Sequence, residues 1–261
     1  MAPAGNAGSL TSLVLAFLLV LARVGGALAF VPLPGVRQGP RGARAVLAGA
    51  VAIALYPAWP RLSGSPPDVG TLAGWLLSEA ALGITAGLAV AFLNEGFSLA
   101  AQIFGLPAGY SYAATIDPAT EAESTVLLVL AQLAAGLLFF ALDMHLELLR
   151  VFARSLEVYP PGSFALGEGQ MRAIVKLGAG MFAVGVRLAM PVIALLLLVD
   201  VALSLLSRIH AQLQLLMMAF PVKMLAALAM MAATLAAYPR LYRALAAECA
   251  AVLGRMTGYG G

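Results

Sequence analysis

Six stretches of this 261-residue chain are long and nearly free of charge: residues 10–30, 43–59, 72–93, 124–145, 173–206 and 213–238. A helix rises about 1.5 Å per residue, so about 20 apolar residues cross a hydrocarbon core roughly 30 Å thick. Each stretch comes near that length or passes it. In lipid the backbone N–H and C=O groups have no water to bond, which favours helices, whose hydrogen bonds close within the segment. The expectation is an all-α, hydrophobic, membrane-associated protein. Composition agrees: 62% of the residues are hydrophobic and 10% charged, against about 25% charged in a soluble domain. The fifth stretch is longer than a bilayer needs and holds Arg187, Pro191 and Asp200. A kinked helix reaching beyond the membrane, or two helices, is expected there.

The connections punctuate these stretches. Residues 31–42 hold three prolines and three glycines, residues 60–71 three prolines, and residues 155–170 contain Pro160-Pro161-Gly162. After Pro239, apolar residues recur at helical spacing with Arg240, Arg243 and Arg255, the pattern of an interfacial helix. The connection at 100–118 is different. Gly105, Pro107 and Gly109 are poor residues for a helix interior. Yet Ile103, Phe104, Leu106, Tyr110, Tyr112 and Ile116 make the stretch too apolar for a solvated loop, and no charge precedes Asp117. Irregular backbone of this kind at membrane depth is tolerated where protein buries it or where it lines a cavity.

Several function classes are disfavoured. A net charge of +3, with 15 basic residues scattered among apolar runs, is too small a basic bias for nucleic acid. Cys249 is the one cysteine, so neither an internal disulfide nor a CxxC site exists. Ala27-Leu28-Ala29 imitates a cleavage site, but the first nine residues lack Lys and Arg, and Arg23 interrupts the apolar core. Residues 10–30 therefore read as a retained helix. No HExxH, nucleotide loop or nucleophile elbow is present. In Asp143-Met144-His145-Leu146-Glu147 the acids share a helix face, but His145 points elsewhere. That cluster reads as structural, and His210 is isolated. Neither a catalytic residue, a metal nor a cofactor is expected.

Five ionisable residues fall inside apolar stretches: Arg23, Glu79, Arg187, Asp200 and Lys223. A charge at mid-bilayer costs about 2.5–3.5 kcal/mol even on mild scales, so these groups are expected to pair, within the chain or across an interface. An ion or proton pathway is the competing reading, weakened by mixed signs and the lack of an acidic relay. Gly83 and Gly87 form a GxxxG whose face also carries Glu79, which predicts close helix packing there. Orientation is contradictory. Arg37, Arg41 and Arg44 would place the first connection in the cytoplasm. With six spans, Arg150, Arg154, Arg172, Lys176 and the tail arginines then fall on the opposite face. Either one stretch does not span, or the chain is not inserted as a conventional bundle.

From about residue 13 to 253 these features, in their order and spacing, resemble the FliR family of flagellar export-gate proteins, whose virulence counterparts are the SctT proteins. The residues that carry the likeness are Arg23, Pro32, Gly35, Pro40 and Arg44; Glu79, Gly83 and Gly87; and Gly109-Tyr110-Ser111 with Asp117-Pro118. The helix LLFFALDMH, Ser155 and Pro160-Pro161-Gly162 follow, then Arg208, Gln212, Leu213 and Phe220-Pro221-Val222-Lys223. Ala211-Gln212-Leu213-Gln214 departs from the family's Pro-Gln-x-Asn, Ala219 replaces a glycine, and Ala100-Ala101 stands where Ala-Gly is usual. Gly105 and Pro107 likewise replace more polar residues.

The resemblance implies an all-helical protein of one export-gate domain: a FliP-like part over about residues 1–168, then a FliQ-like helical hairpin and amphipathic tail over 169–261. It implies assembly with FliP and FliQ homologues, contact with FlhB- and FlhA-like export proteins and with lipid, and a place in the bacterial inner membrane at the flagellar basal body. Unfolded flagellar proteins would be the substrates. The 105–120 loop would plug the closed pore, through Phe104, Gly105, Gly109, Tyr110, Ser111 and Tyr112. An SctT-type secretion role and a proton-coupled solute transporter are the alternatives.

Overall fold

The computed structural model describes residues 5–31, 42–62, 67–110, 126–165, 167–209 and 215–256. Among these, all regular structure is helical. The helices are α1 (Gly5–Phe30), α2 (Ala43–Ala54), a 3-10 turn (Tyr56–Ala58), α3 (Val69–Gly105), α4 (Val126–Ala141), α5 (Met144–Val158), α6 (Glu168–Ile209), α7 (Leu215–Leu235) and α8 (Tyr238–Met256).

Three of the apolar stretches become helices long enough to cross a membrane by themselves: Leu10–Phe30 in α1, α3, and Glu168–Arg208 in α6. Two more spans are possible if the bent pairs α4–α5 (61°) and α7–α8 (60°) each count as one. The second stretch falls short. Its helix stops at Ala54 because Pro57 and Pro60 follow, and its 12 residues are too few to cross alone. Without this stretch as a span, the parity that sets the first connection and the tail on opposite faces does not hold. The fifth stretch is one helix of 42 residues with Pro191 inside it, not two helices.

Helix α3 differs most from its expected limits. It runs 37 residues, through Asn94 and Glu95 and on to Gly105. Its start is set by Asp68, whose Oδ2 accepts from the Gly70 and Thr71 amides at 3.0 and 3.3 Å while Oδ1 accepts from the Thr71 hydroxyl. That satisfies two of the orphan donors of a helix N-terminus. The Thr71 hydroxyl, and then its amide, hold the Asp68 carboxyl below its ordinary range. At the far end Ala100, Ala101 and Phe104 are buried, and the helix stops at Gly105, the first weak helix former after them.

The chain divides into two compact units, and α3, α6 and α8 each contribute to both. Unit 1 comprises residues 1–92, 140–177 and 246–261. Within it α1 lies against the first half of α3, and Arg44 of α2 donates to the Ala29 carbonyl at 2.9 Å, capping the end of α1. Phe17 packs on Trp59, whose indole donates to the Ala52 carbonyl at 2.8 Å. Unit 2 comprises residues 93–139 and 178–245. There Phe97 of α3 packs against Tyr238 and Tyr242 of α8. Of the apolar stripe of α8, Tyr238 and Tyr242 are buried in this unit, and Ala246, Cys249 and Val252 are buried in unit 1. The face expected to lie on lipid is therefore taken up by neighbouring helices.

Candidate functional site

In unit 1 a close helix crossing sets up a buried ionic centre. A Cβ on Gly83 would overlap the Arg23 carbonyl oxygen, and one on Gly87 the Ala27 carbonyl oxygen. On the facing helix a Cβ on Gly26 would sit 2.7 Å from the Ala80 carbonyl oxygen. Only glycine permits this approach of two backbones. One turn before Gly83, Glu79 faces α1, and the closeness of the helices brings Arg23 onto it. Arg23 Nε donates to Glu79 Oε2 at 2.5 Å, Nη1 to the Ser155 hydroxyl at 2.8 Å and Nη2 to the Tyr159 carbonyl at 3.4 Å. Ser155 in turn donates to the Phe152 carbonyl at 2.8 Å. Arg23 is 1% exposed, Glu79 2% and Ser155 0%. A guanidinium fork with neighbours in three directions is suited to such a site, because each of its three nitrogens, removed from water, finds an acceptor.

The second centre lies in unit 2. The Lys223 ammonium of α7 meets Asp200 of α6 at 2.5 Å, with the side chains 18% and 49% exposed. Nearby, α3 ends in a Schellman motif. The Gly109 amide donates to the Leu106 carbonyl at 3.1 Å and the Tyr110 amide to the Gly105 carbonyl at 3.2 Å. Gly109 has φ +89°, where L residues are strained. A Cβ there would also press on the Phe220 ring, 2.8 Å from Cδ1. Tyr110 then donates its hydroxyl to the Met224 carbonyl of α7 at 3.0 Å. Burial raises the phenol above its ordinary pKa, so it stays a neutral donor.

The residues marked by the sequence thus fall into separate groups. Arg23, Glu79, Gly83 and Gly87 come together, as do Asp200 and Lys223. Phe104 and Gly105 are buried in the last turn of α3, and Gly109 and Tyr110 close that helix. Ser111 and Tyr112, like most of the 105–120 stretch, lie outside the described residues. Arg187 sits on the exposed side of α6 and has no ion-pair partner among the described residues. Glu147 pairs with Arg150 at 3.2 Å. No group of three metal-ligating side chains converges among the described residues.

Sequence reasoning missed the acceptor side of the first centre. Ser155 and the Tyr159 carbonyl lie 132 and 136 residues from Arg23, beyond any local pattern. It also missed the polar step inside α3. Asn94 is buried and accepts from the Tyr242 hydroxyl at 2.8 Å, while Glu95 faces outward. The available signal was the apolar run that resumes at Phe97.

These features define a polytopic all-helical membrane protein whose helices are locked by internal pairing of charges. Residues 14–249 match the family described as bacterial export proteins, family 1. The flagellar biosynthetic protein FliR of Escherichia coli (strain K12) is 30% identical over 82% of this chain and 81% of its own length. Its counterpart in Caulobacter vibrioides is 26% identical over 83% and 87%, and that of Bacillus subtilis 27% over 82% and 84%. The chain belongs to the FliR family of bacterial export proteins.

Proposed function

We propose that this chain is a core channel subunit of the flagellar type III export gate, in the bacterial inner membrane at the flagellar basal body. It assembles with FliP and FliQ homologues into the portal for unfolded export substrates, beside FlhB- and FlhA-like proteins. The observation that carries this reading is the family match spanning residues 14–249. The flagellar names of the similar proteins favour the flagellar system over a virulence counterpart. Residues 1–168 serve as the FliP-like part, and α6 and α7 supply the FliQ-like hairpin. The 105–120 stretch plugs the closed channel, which fits its lack of charge before Asp117. The chain itself contributes no catalysis; its partners supply the energy.

Deletion of the gene is expected to abolish filament growth and the export of flagellar subunits, with recovery when the intact gene is returned. Normal secretion of those subunits in the deletion strain would sink the proposal.

A further inference from the structure

The short α2 leaves a cavity beside the first turns of α1. Arg44, at the start of α2, caps the far end of α1, and Trp59, just past the end of α2, packs on Phe17. The two helices are therefore antiparallel, and α2 returns along α1 for only 12 residues. Pro57 and Pro60 then turn the chain aside beside Phe17, short of the apolar start of α1 at Leu10. The shortfall is a cavity of about 420 Å³ between Ser12, Leu13 and Ala16 of α1 and Tyr56, Trp59 and Arg61 of the turn. Small-molecule sites occupy roughly 300–1,000 Å³. We propose that this cavity binds an acidic phospholipid, with Arg61 on its phosphate and the upper part of an acyl chain against Leu13 and Ala16. The inference is independent of the export role and uses residues of unit 1 alone.

Depth is the first argument. The apolar part of α1, Leu10–Phe30, has 21 residues, about 31 Å of helix, which matches a hydrocarbon core of roughly 30 Å. Ser12 and Ala16 then lie about 3 and 9 Å inside the boundary at Leu10. That is where a phospholipid headgroup gives way to its chains. Leu13 and Tyr56 are 42% and 59% exposed, so the cavity is open to a chain entering from the bilayer.

Charge is the second. Arg61 is exposed and has no ion-pair partner among the described residues. No Asp or Glu lines the cavity. A guanidinium fork matches a phosphate with two parallel hydrogen bonds, and its stem lies on apolar surface while the head stays at the boundary. A zwitterionic headgroup would bring an ammonium that no carboxylate receives, so net negative charge is selected.

The wall is the third. The Trp59 indole donates to the Ala52 carbonyl at 2.8 Å, and its ring is held by Phe17 and by Tyr56, edge-on at 5.1 Å. The aromatic surface is thus set before a ligand arrives, and it is of the kind that anchors proteins at membrane interfaces.

The test uses the full chain in uncharged detergent micelles. Phosphatidylglycerol, phosphatidylethanolamine and glycerol phosphate are the probes, and native mass spectrometry counts the molecules retained once the micelle is removed. Phosphatidylglycerol is expected to be held in preference to phosphatidylethanolamine, and glycerol phosphate, which lacks the chains, is expected not to compete. Arg61→Gln is expected to weaken phosphatidylglycerol binding about 10-fold, near the low end for a hydrogen bond to a charged group. Arg61→Lys is expected to weaken it less, because lysine keeps the charge without the fork. Leu13→Trp fills the cavity and is expected to lower retention with the charge unaltered. Equal retention of the two lipids overturns the proposal, as does an Arg61→Gln chain that holds phosphatidylglycerol as tightly as the unaltered one. Competition by glycerol phosphate overturns the lipid and leaves a small phosphate ligand in its place. Should Leu13→Trp lower the yield of folded protein, the two Arg61 variants decide, since Arg61 is exposed and takes part in no ion pair among the described residues.

Discussion

The two units each join helices with a carboxylate and a cation, but under opposite conditions. In the first, Arg23 and Glu79 are sealed at 1% and 2% exposure, and the guanidinium is also held by Ser155 and Tyr159. In the second, Asp200 and Lys223 meet at 49% and 18% exposure, and no other hydrogen bond to either side chain occurs among the described residues. A sealed charge that loses its partner has nowhere to turn, so the pair specifies one arrangement of helices. A half-exposed pair can separate and find other company. The first suits a fixed frame, whereas the second suits a contact between α6 and α7 that can adjust.

The largest expected effect breaks the frame. Glu79→Ala leaves Arg23 buried without its counterion and is expected to destabilise the protein by about 3–5 kcal/mol. Thermal unfolding in detergent micelles reads this as a large fall in Tm. The double change Arg23→Met with Glu79→Leu is expected to recover most of the loss, because an apolar pair of similar volume needs no counterion. A double variant as unstable as the single one would show that the pair's specific geometry, not its uncompensated charge, holds the unit.

A smaller effect is expected from the second pair. Asp200→Asn should cost less than Glu79→Ala, since the half-exposed Asp200 leaves Lys223 less completely sealed than Arg23 is. The same unfolding measurement checks it, and a loss as large as that of Glu79→Ala would erase the contrast between the two units.

The smallest effect lies at the exposed start of α3. Asp68 has its pKa lowered in the folded chain, chiefly by the Thr71 hydroxyl. Its contribution is therefore fully present above the unfolded carboxylate value of 3.8 and is lost as pH falls through the lower folded value. Asp68→Ala is expected to abolish this part of the acid dependence and to fray the first turn of α3. Amide exchange at Gly70 and Thr71 reports both, and unchanged protection in the variant would remove Asp68 as the cap.

Much of the helical architecture was legible because lipid leaves the backbone few choices, and long uncharged runs are visible one residue at a time. Limits set by packing were not. The third stretch ends at residue 93, yet α3 continues through the buried Ala100, Ala101 and Phe104 and stops only at Gly105. Just past residue 93 the helix runs through Asn94, whose buried oxygen accepts from the Tyr242 hydroxyl. Residues 43–59 read as a span until the prolines after Ala54 are weighed against the helix that forms.

By itself the sequence determined that the chain is helical and hydrophobic, which charges stand in apolar surroundings, and which glycines lie on a common face with Glu79. Those properties follow from composition and from a fixed helical period. The tertiary structure alone decided which charge meets which, how deeply each pair is sealed, and that the helix end at Tyr110 is tied to Met224. Such pairings join residues far apart in sequence, 56 positions for Arg23 and Glu79 and 114 for Tyr110 and Met224. Helix packing brings them within a few ångströms, and hydrogen bonding at that range selects among groups that the sequence presents as equivalent.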